Sequence, residues 1–186
     1  MSSVLSNTAD EARRTRVAAA AIAAFSRHGY RRCTMADIAD AAGMSRPALY
    51  LLFPGKEVVF RAVAESLLAD AADAAEQAWP EGCDPAQGLA AAILAKDLPI
   101  HRLCQASAHA DEILSVAASL TADLHQASAA RFEALLAARL TAAGRADAAG
   151  LARMLVAAAT GLKHASLSET DYIADVHRLA GLVGAN

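Results

Sequence analysis

Aromatic residues make up only 4% of this chain, and prolines number five and glycines ten, whereas 55% of its 186 positions are apolar, chiefly alanine, leucine and valine. That balance favours helix over sheet. The three cysteines, Cys33, Cys83 and Cys104, are odd in number and widely spaced, which excludes a disulfide framework and a CxxC zinc site. No apolar run reaches membrane length without a charge or breaker, and the opening MSSVLSNTADEARRTR lacks the apolar core of a signal peptide. A soluble, cytoplasmic protein with no membrane partner is expected. GxSxG, phosphate-loop and HExxH motifs are all missing, so no enzymatic activity and no cofactor is expected. Glu65, Asp70 and Asp73 read as ordinary charges on a surface helix. Lysine is scarce, occurring at positions 56, 96 and 163, and arginine carries the rest of the positive charge.

That charge is unevenly spread. Through Arg61 nine basic residues face five acidic ones, a balance of +4; the remainder holds eight basic against fifteen acidic residues, a balance of −7. A positive amino-terminal part fits a polyanionic partner, and the acidic remainder does not. Charge alone is also compatible with a merely solvated face.

Residues 1–9 are polar and read as disordered. From Asp10, Val17, Ala20, Ala21, Ala24 and Phe25 recur at helical spacing, and Gly29 suits the left-handed position that ends a helix. Thr34-x-x-Asp37 predicts a capping box in its acidic form, Gly43 a turn, Ser45 a helix cap and Pro47 a first-turn proline. Phe53-Pro54-Gly55 breaks the third helix, and a long helix follows from about Lys56 to Gln77. Trp79–Pro85 is a loop. Helical pattern resumes over 86–96, breaks at Asp97-Leu98-Pro99 and returns over 100–110. A long stretch over 111–143, interrupted near Ser119–Thr121, precedes helices over about 146–165 and 170–183. The chain reads as all-α.

Thr34–Phe53 carries the most information. Ile38, Ala42, Met44, Leu49 and Leu52 supply the apolar contacts of two crossing helices, Ala39 the small residue between them and Gly43 the turn. This is the pattern of a helix-turn-helix that lays its second helix in the major groove. Together with the preceding helix, Arg14–Tyr30, and with Ser45-Arg-Pro-Ala-Leu-Tyr50, Phe53 and Lys56-Glu57, it resembles the TetR family of bacterial transcriptional regulators. The resemblance covers residues 10–70. It implies a DNA-binding domain over 10–55 and a helical ligand-binding and dimerisation domain over 56–186.

Carried over by position, the resemblance places Arg46 and Ala48 on the exposed face of the recognition helix, Arg46 on a guanine edge or on phosphate. Tyr50 and Lys56 are expected on phosphates, with Thr34 and the cap Ser45 facing the DNA backbone. Arg13, Arg14 and Arg16 either reach DNA as an arm or stay solvated. Two departures stand out: leucines at 51 and 52, and Gly55 in place of a polar cap. Leu52 reads as core, while Leu51 either meets a thymine methyl or packs inward. Fewer polar readers put more weight on Arg46 and on DNA shape.

In the carboxy-terminal part, Leu155, Ala158 and Leu162 stripe one helix and Ile173, Val176, Leu179 and Val183 the last. These stripes either fill a protomer core or form a four-helix homodimer interface, and a single recognition helix per chain favours the dimer. A ligand pocket is expected from Trp79, Leu103, Cys104, His109, Leu114, Leu124, His125 and Phe132, suited to an apolar or amphipathic small molecule. The spacing of His101, Cys104 and His109 does not make a metal site. The expected function is a transcriptional regulator, a repressor released from operator DNA by a small molecule. The alternative is a helical protein-interaction module whose helix-turn-helix no longer reads DNA, suggested by Ala48, Leu51 and Leu52.

Overall fold

A computed structural model describes residues 2–165 and 168–184, with side chains from residue 10 onward except His164. Among the described residues there are nine helices and no strand: α1 (Ser2–Arg32), α2 (Met35–Ala41), α3 (Arg46–Leu52), α4 (Lys56–Ala78), α5 (Pro85–Gln105), α6 (Ala110–Leu120), α7 (Ala122–Ala142), α8 (Ala148–His164) and α9 (Glu169–Gly184). They divide into two compact units, Met1–Leu67 with Leu103–Leu124, and Leu68–Arg102 with His125–Asn186.

The first unit is built on the amino-terminal pattern. Val17, Ala21, Phe25, Ile38, Leu49, Phe53 and Val59 are buried together, and the rings of Phe25, Tyr30 and Phe60 meet at centroid distances of 5.1–5.7 Å. Such aromatic contacts add specific geometry to the apolar burial. α1 packs on α2 and α6. Gly29 turns the end of α1 with φ 72°, and a Cβ there would come within 2.7 Å of the Glu112 carboxylate on α6. That carboxylate accepts from the Arg31 amide at 2.6 Å. The positive φ therefore favours glycine, and a Cβ would also push the Glu112 carboxylate from its place. α1 starts at Ser2, not at Asp10 as its sequence pattern suggests, because no glycine or proline precedes Gly29 to stop it.

The second unit buries Trp79, Leu89, Ile93, Phe132, Leu136, Leu140, Leu155 and Val176 in a core of its own, with α8 packed on α9. α5 runs without a break through Pro99, contrary to the expected interruption at 97–99. Proline in a helix interior forfeits a backbone hydrogen bond, so tertiary anchoring must offset it. Asp97 supplies that anchor two residues earlier. It is 2% exposed, and its carboxylate accepts from Lys96 (2.8 Å), Lys163 on α8 (3.2 Å) and the Tyr172 hydroxyl on α9 (2.9 Å). The interruption expected near 119–121 is present at Thr121, which separates α6 from α7. Of the loop expected at 166–170, residues 166 and 167 lie outside the described residues; Ser168 caps α9 by accepting from the Asp171 amide.

Candidate nucleic-acid interface

The helix-turn-helix is fixed by caps at each end of its turn. Thr34 precedes α2 in extended conformation, and its hydroxyl accepts from the Asp37 amide at 3.3 Å while the Asp37 carboxylate accepts from the Thr34 amide at 2.8 Å. This reciprocal box satisfies two otherwise orphaned donors. Hydrogen bonds from the Thr34 hydroxyl and amide also hold the Asp37 carboxyl below its ordinary range. At the other end of α2, Gly43 takes φ 63°, donating to Asp40 while Met44 donates back to Ala39. These are the paired bonds of a glycine-terminated Schellman cap. Ser45 then opens α3, its hydroxyl accepting from the Ala48 amide at 3.3 Å.

α3 sorts its residues cleanly. Leu49, Leu52 and Phe53 are buried, so Leu52 is a core residue. Arg46, Tyr50 and Leu51 are exposed, Leu51 at 87%, and Ala48 is half-buried. The outer face therefore carries one guanidinium, one phenol and one solvent-facing isobutyl group, with the exposed Pro47 ring in the first turn. Thr34 and Ser45 lie exposed beside it with their side chains engaged as caps.

Lys56, expected on a phosphate, has backbone partners within the chain. Its Nζ donates to the carbonyls of Tyr30 (2.7 Å), Arg31 (3.2 Å) and Cys33 (2.9 Å) and lies 4.5 Å from the Tyr30 ring centroid. An ammonium has three N–H groups, and all three are directed at backbone acceptors. Lys56 therefore caps the end of α1, whose last carbonyls lack helical partners. Beneath it, burial and the Asp37 charge, partly offset by Lys56, push the Cys33 thiol up to about 11, which leaves it unreactive. The expected arginine arm is also helical: Arg13 pairs with Asp10, and the Arg14 guanidinium stacks on Phe53 at 5.0 Å.

The residues expected to line a pocket are divided between the two units. Trp79 and Phe132 are buried in the core of the second unit, and His125 is exposed in that unit. Leu103, Cys104, His109, Leu114 and Leu124 belong to the first unit, where Leu114 is 49% exposed. Heptad-like spacing cannot tell a core stripe from a cavity wall, and Trp79 is used to fill space against Gly88. A cleft of about 330 Å³ does open between α4 and α7. Ala72, Phe132, Leu135 and Ala138 form its apolar floor, and Glu76, Glu81, Arg131 and Arg139 its polar wall. Of these, sequence spacing pointed only to Phe132.

The expected dimer stripe divides similarly. Leu155, Val176 and Val183 are buried in the protomer's own core, whereas Ala158, Leu162, Ile173 and Leu179 are half-buried. A core stripe and an interface stripe share the same period, and the innermost row belongs to the core. The large apolar side chains left exposed on α8 and α9 are Met154 at 67% and Leu182 at 74%. Among the described residues no group of three His, Cys, Asp or Glu side chains is placed to hold a metal, and no helix is long and apolar enough to cross a membrane.

Asp97 was the polar residue that sequence spacing passed over. Its signal was a charge in line with Ala90 and Ile93 on the buried face of α5. Burial pushes its carboxyl up, but the charges of Lys96 and Lys163 and the bonds from Lys96 and Tyr172 bring it below its ordinary range. The His101 ring stacks on Tyr172 one turn further along.

Comparison with known proteins bears on this geometry. Residues 17–63, the segment that contains α2 and α3, match the family described as bacterial regulatory proteins, tetR family. The HTH-type transcriptional regulator TtgR of Pseudomonas putida is 38% identical over 84 residues, covering 41% of this chain and 40% of TtgR. The match thus spans about two-fifths of that relative. The fold extends further. A transcriptional regulator from Cytophaga hutchinsonii superposes with a TM-score of 0.72 at 21% identity, over 90% of this chain and 94% of that one. SmeT, the repressor of the Stenotrophomonas maltophilia multidrug efflux pump SmeDEF, superposes with a TM-score of 0.64 at 24% identity, over 92% and 86%. Through the segment that carries its helix-turn-helix, the chain is similar to the tetR family of bacterial regulatory proteins.

Proposed function

We propose that this protein is a homodimeric transcriptional repressor that binds operator DNA through α3 and is released from it by a small molecule. Residues 10–55 carry the DNA contact, and residues 56–186 carry ligand binding and dimerisation. The observation that supports this reading most is the outer face of α3: Arg46, Tyr50 and Leu51 project from a helix whose N-terminus is capped by Ser45 and whose inner face is buried. A rigid helix with an uncommitted guanidinium and a solvent-facing apolar side chain suits the major groove. Arginine bonds bidentately to guanine, and an aliphatic group meets a thymine methyl. Tyr50 bonds phosphate, and Thr34 and Ser45 approach the DNA backbone. Lys56 holds the end of α1 in place instead of touching DNA.

One recognition helix per chain calls for two chains, with half-sites one helical turn, roughly 34–36 Å, apart. Met154 and Leu182, with Ala158, Leu162, Ile173 and Leu179 beside them, form the surface that α8 and α9 offer a second copy. α4 passes through both units. It is the continuous element by which a ligand bound in the second unit alters the spacing of the recognition helices. Coupling of about 1–3 kcal/mol between ligand and operator is enough for a useful switch.

A competition gel shift tests the reading, with the DNA flanking the gene as probe. Selective retardation that survives excess scrambled DNA and disappears in Arg46→Ala is expected. Equal binding to scrambled DNA at moderate salt would favour the protein-interaction alternative.

A further inference from the structure

The two arginines of the α4–α7 cleft are not equivalent. Arg131 is already paired, donating to Asp73 at 2.7 Å and approaching Glu76 at 3.5 Å, and half of its side chain is in solvent. Arg139 is 18% exposed, its Nε is buried with no acceptor, and among the described residues its Nη1 pairs with Glu81 at 3.4 Å. Glu81 is itself 90% exposed and lies in the loop between α4 and α5, so it holds the guanidinium loosely. A buried N–H of a charged group without an acceptor is costly, and a carboxylate relieves that cost by bonding Nε and an Nη together along one edge of the guanidinium. Phe132 and Leu135 line the same cleft and supply apolar surface. The volume of about 330 Å³ lies at the small end of the range of small-molecule pockets.

We infer that this cleft binds a small amphipathic carboxylate of that size, its headgroup on the Nε edge of Arg139 and its apolar body on Phe132 and Leu135. Glu81 faces Nη1, off the Nε edge, and acts on the headgroup only through the repulsion of its charge. Arg131 stays with Asp73 and Glu76 and does not compete for the headgroup. The inference deepens the ligand-release reading and rests on it for its consequence at the operator, though not for the binding itself.

Octanoate, octanol and octylamine are the probes, titrated by calorimetry into the purified full-length protein without DNA, with emission of the single Trp79 as a second readout. Octanoate should bind saturably and about tenfold more tightly than octanol, and octylamine more weakly than either. Arg139→Gln should weaken octanoate about tenfold and leave octanol within about twofold. Glu81→Gln should tighten octanoate about threefold, the scale of losing one exposed charge–charge interaction. Glu81 is on the surface, so this variant remains informative if Arg139→Gln does not fold. Preference for octylamine, or octanoate affinity unchanged by both substitutions, would overturn the assignment. A gel shift then separates the two readings. Octanoate binding that leaves the operator complex intact refutes ligand release by this site and keeps the site. Operator release by other compounds, with no octanoate binding, refutes the site and keeps ligand release.

Discussion

Lys56 separates two physical pictures of the amino-terminal unit, because its position at the head of α4 invites a phosphate contact while its ammonium is spent on backbone carbonyls. Lys56→Met removes the donors to Tyr30, Arg31 and Cys33, whose distances run from 2.7 to 3.2 Å. The carbonyls lie where water replaces part of what is lost, so the loss is closer to one charge-assisted hydrogen bond than to three, about 2 kcal/mol. For a chain of this length that lowers the melting temperature by about 4–8 °C, readable by circular dichroism. Lys56→Arg should fall nearly as far, since a planar fork does not match three converging acceptors. Removing a phosphate contact, by contrast, flattens the log–log dependence of DNA affinity on salt by about one unit. Lys56→Met should leave that slope unchanged, and Arg46→Ala should flatten it. A flattened slope in Lys56→Met, with melting temperatures of both variants unchanged, would refute the capping role.

Three further outcomes are expected. Asp97 holds α5 to α8 and α9 through Lys163 and Tyr172, and Asp97→Ala should cost about 3 kcal/mol, the low end for breaking a buried pair because both lysines reach solvent. Its folded carboxyl is depressed, so its contribution is present above the ordinary aspartate range and is lost as pH falls through the folded value; urea midpoints from pH 7 to 3 should therefore fall less steeply in Asp97→Asn, and an equally steep acid limb would contradict this. Gly88→Ala gains helix propensity but puts a methyl inside van der Waals contact with the buried Trp79 indole, so a net loss of about 1–3 kcal/mol with altered Trp79 emission is expected; a raised melting temperature would contradict it. Leu182→Asp should give monomers in sedimentation without lowering the melting temperature of the dilute protein, whereas an unchanged dimer would move the interface away from α9.

The features legible in the sequence were those whose cause is local. Thr34 with Asp37, Gly43 and Ser45 act within four residues of themselves, and the caps they form are those their spacing predicts. Leu49 and Leu52 likewise declared a buried face through periodicity. The helix that survives Pro99 was not legible, because what holds it is Asp97 reaching residues 66 and 75 positions away. The backbone acceptors of Lys56 were not legible for a related reason, since they lie 23 to 26 residues back along the chain. The pocket and dimer residues are a different case: Trp79, Phe132, Leu155, Val176 and Val183 are apolar at helical spacing and buried, and periodicity marks a buried face without saying what covers it. Arg139 gave no signal at all, because an arginine on a helix is ordinarily solvated and only its packing reveals the unmatched Nε.

Hydroxyl-radical footprinting of the wild-type protein on DNA flanking its gene tests the central claim most directly. Two protected half-sites related by a twofold axis, one helical turn or roughly 34–36 Å apart, with protection lost in Arg46→Ala, are predicted. A protein folded and dimeric in sedimentation that protects no discrete sequence at moderate salt would contradict the assignment of α3 as a reader of DNA.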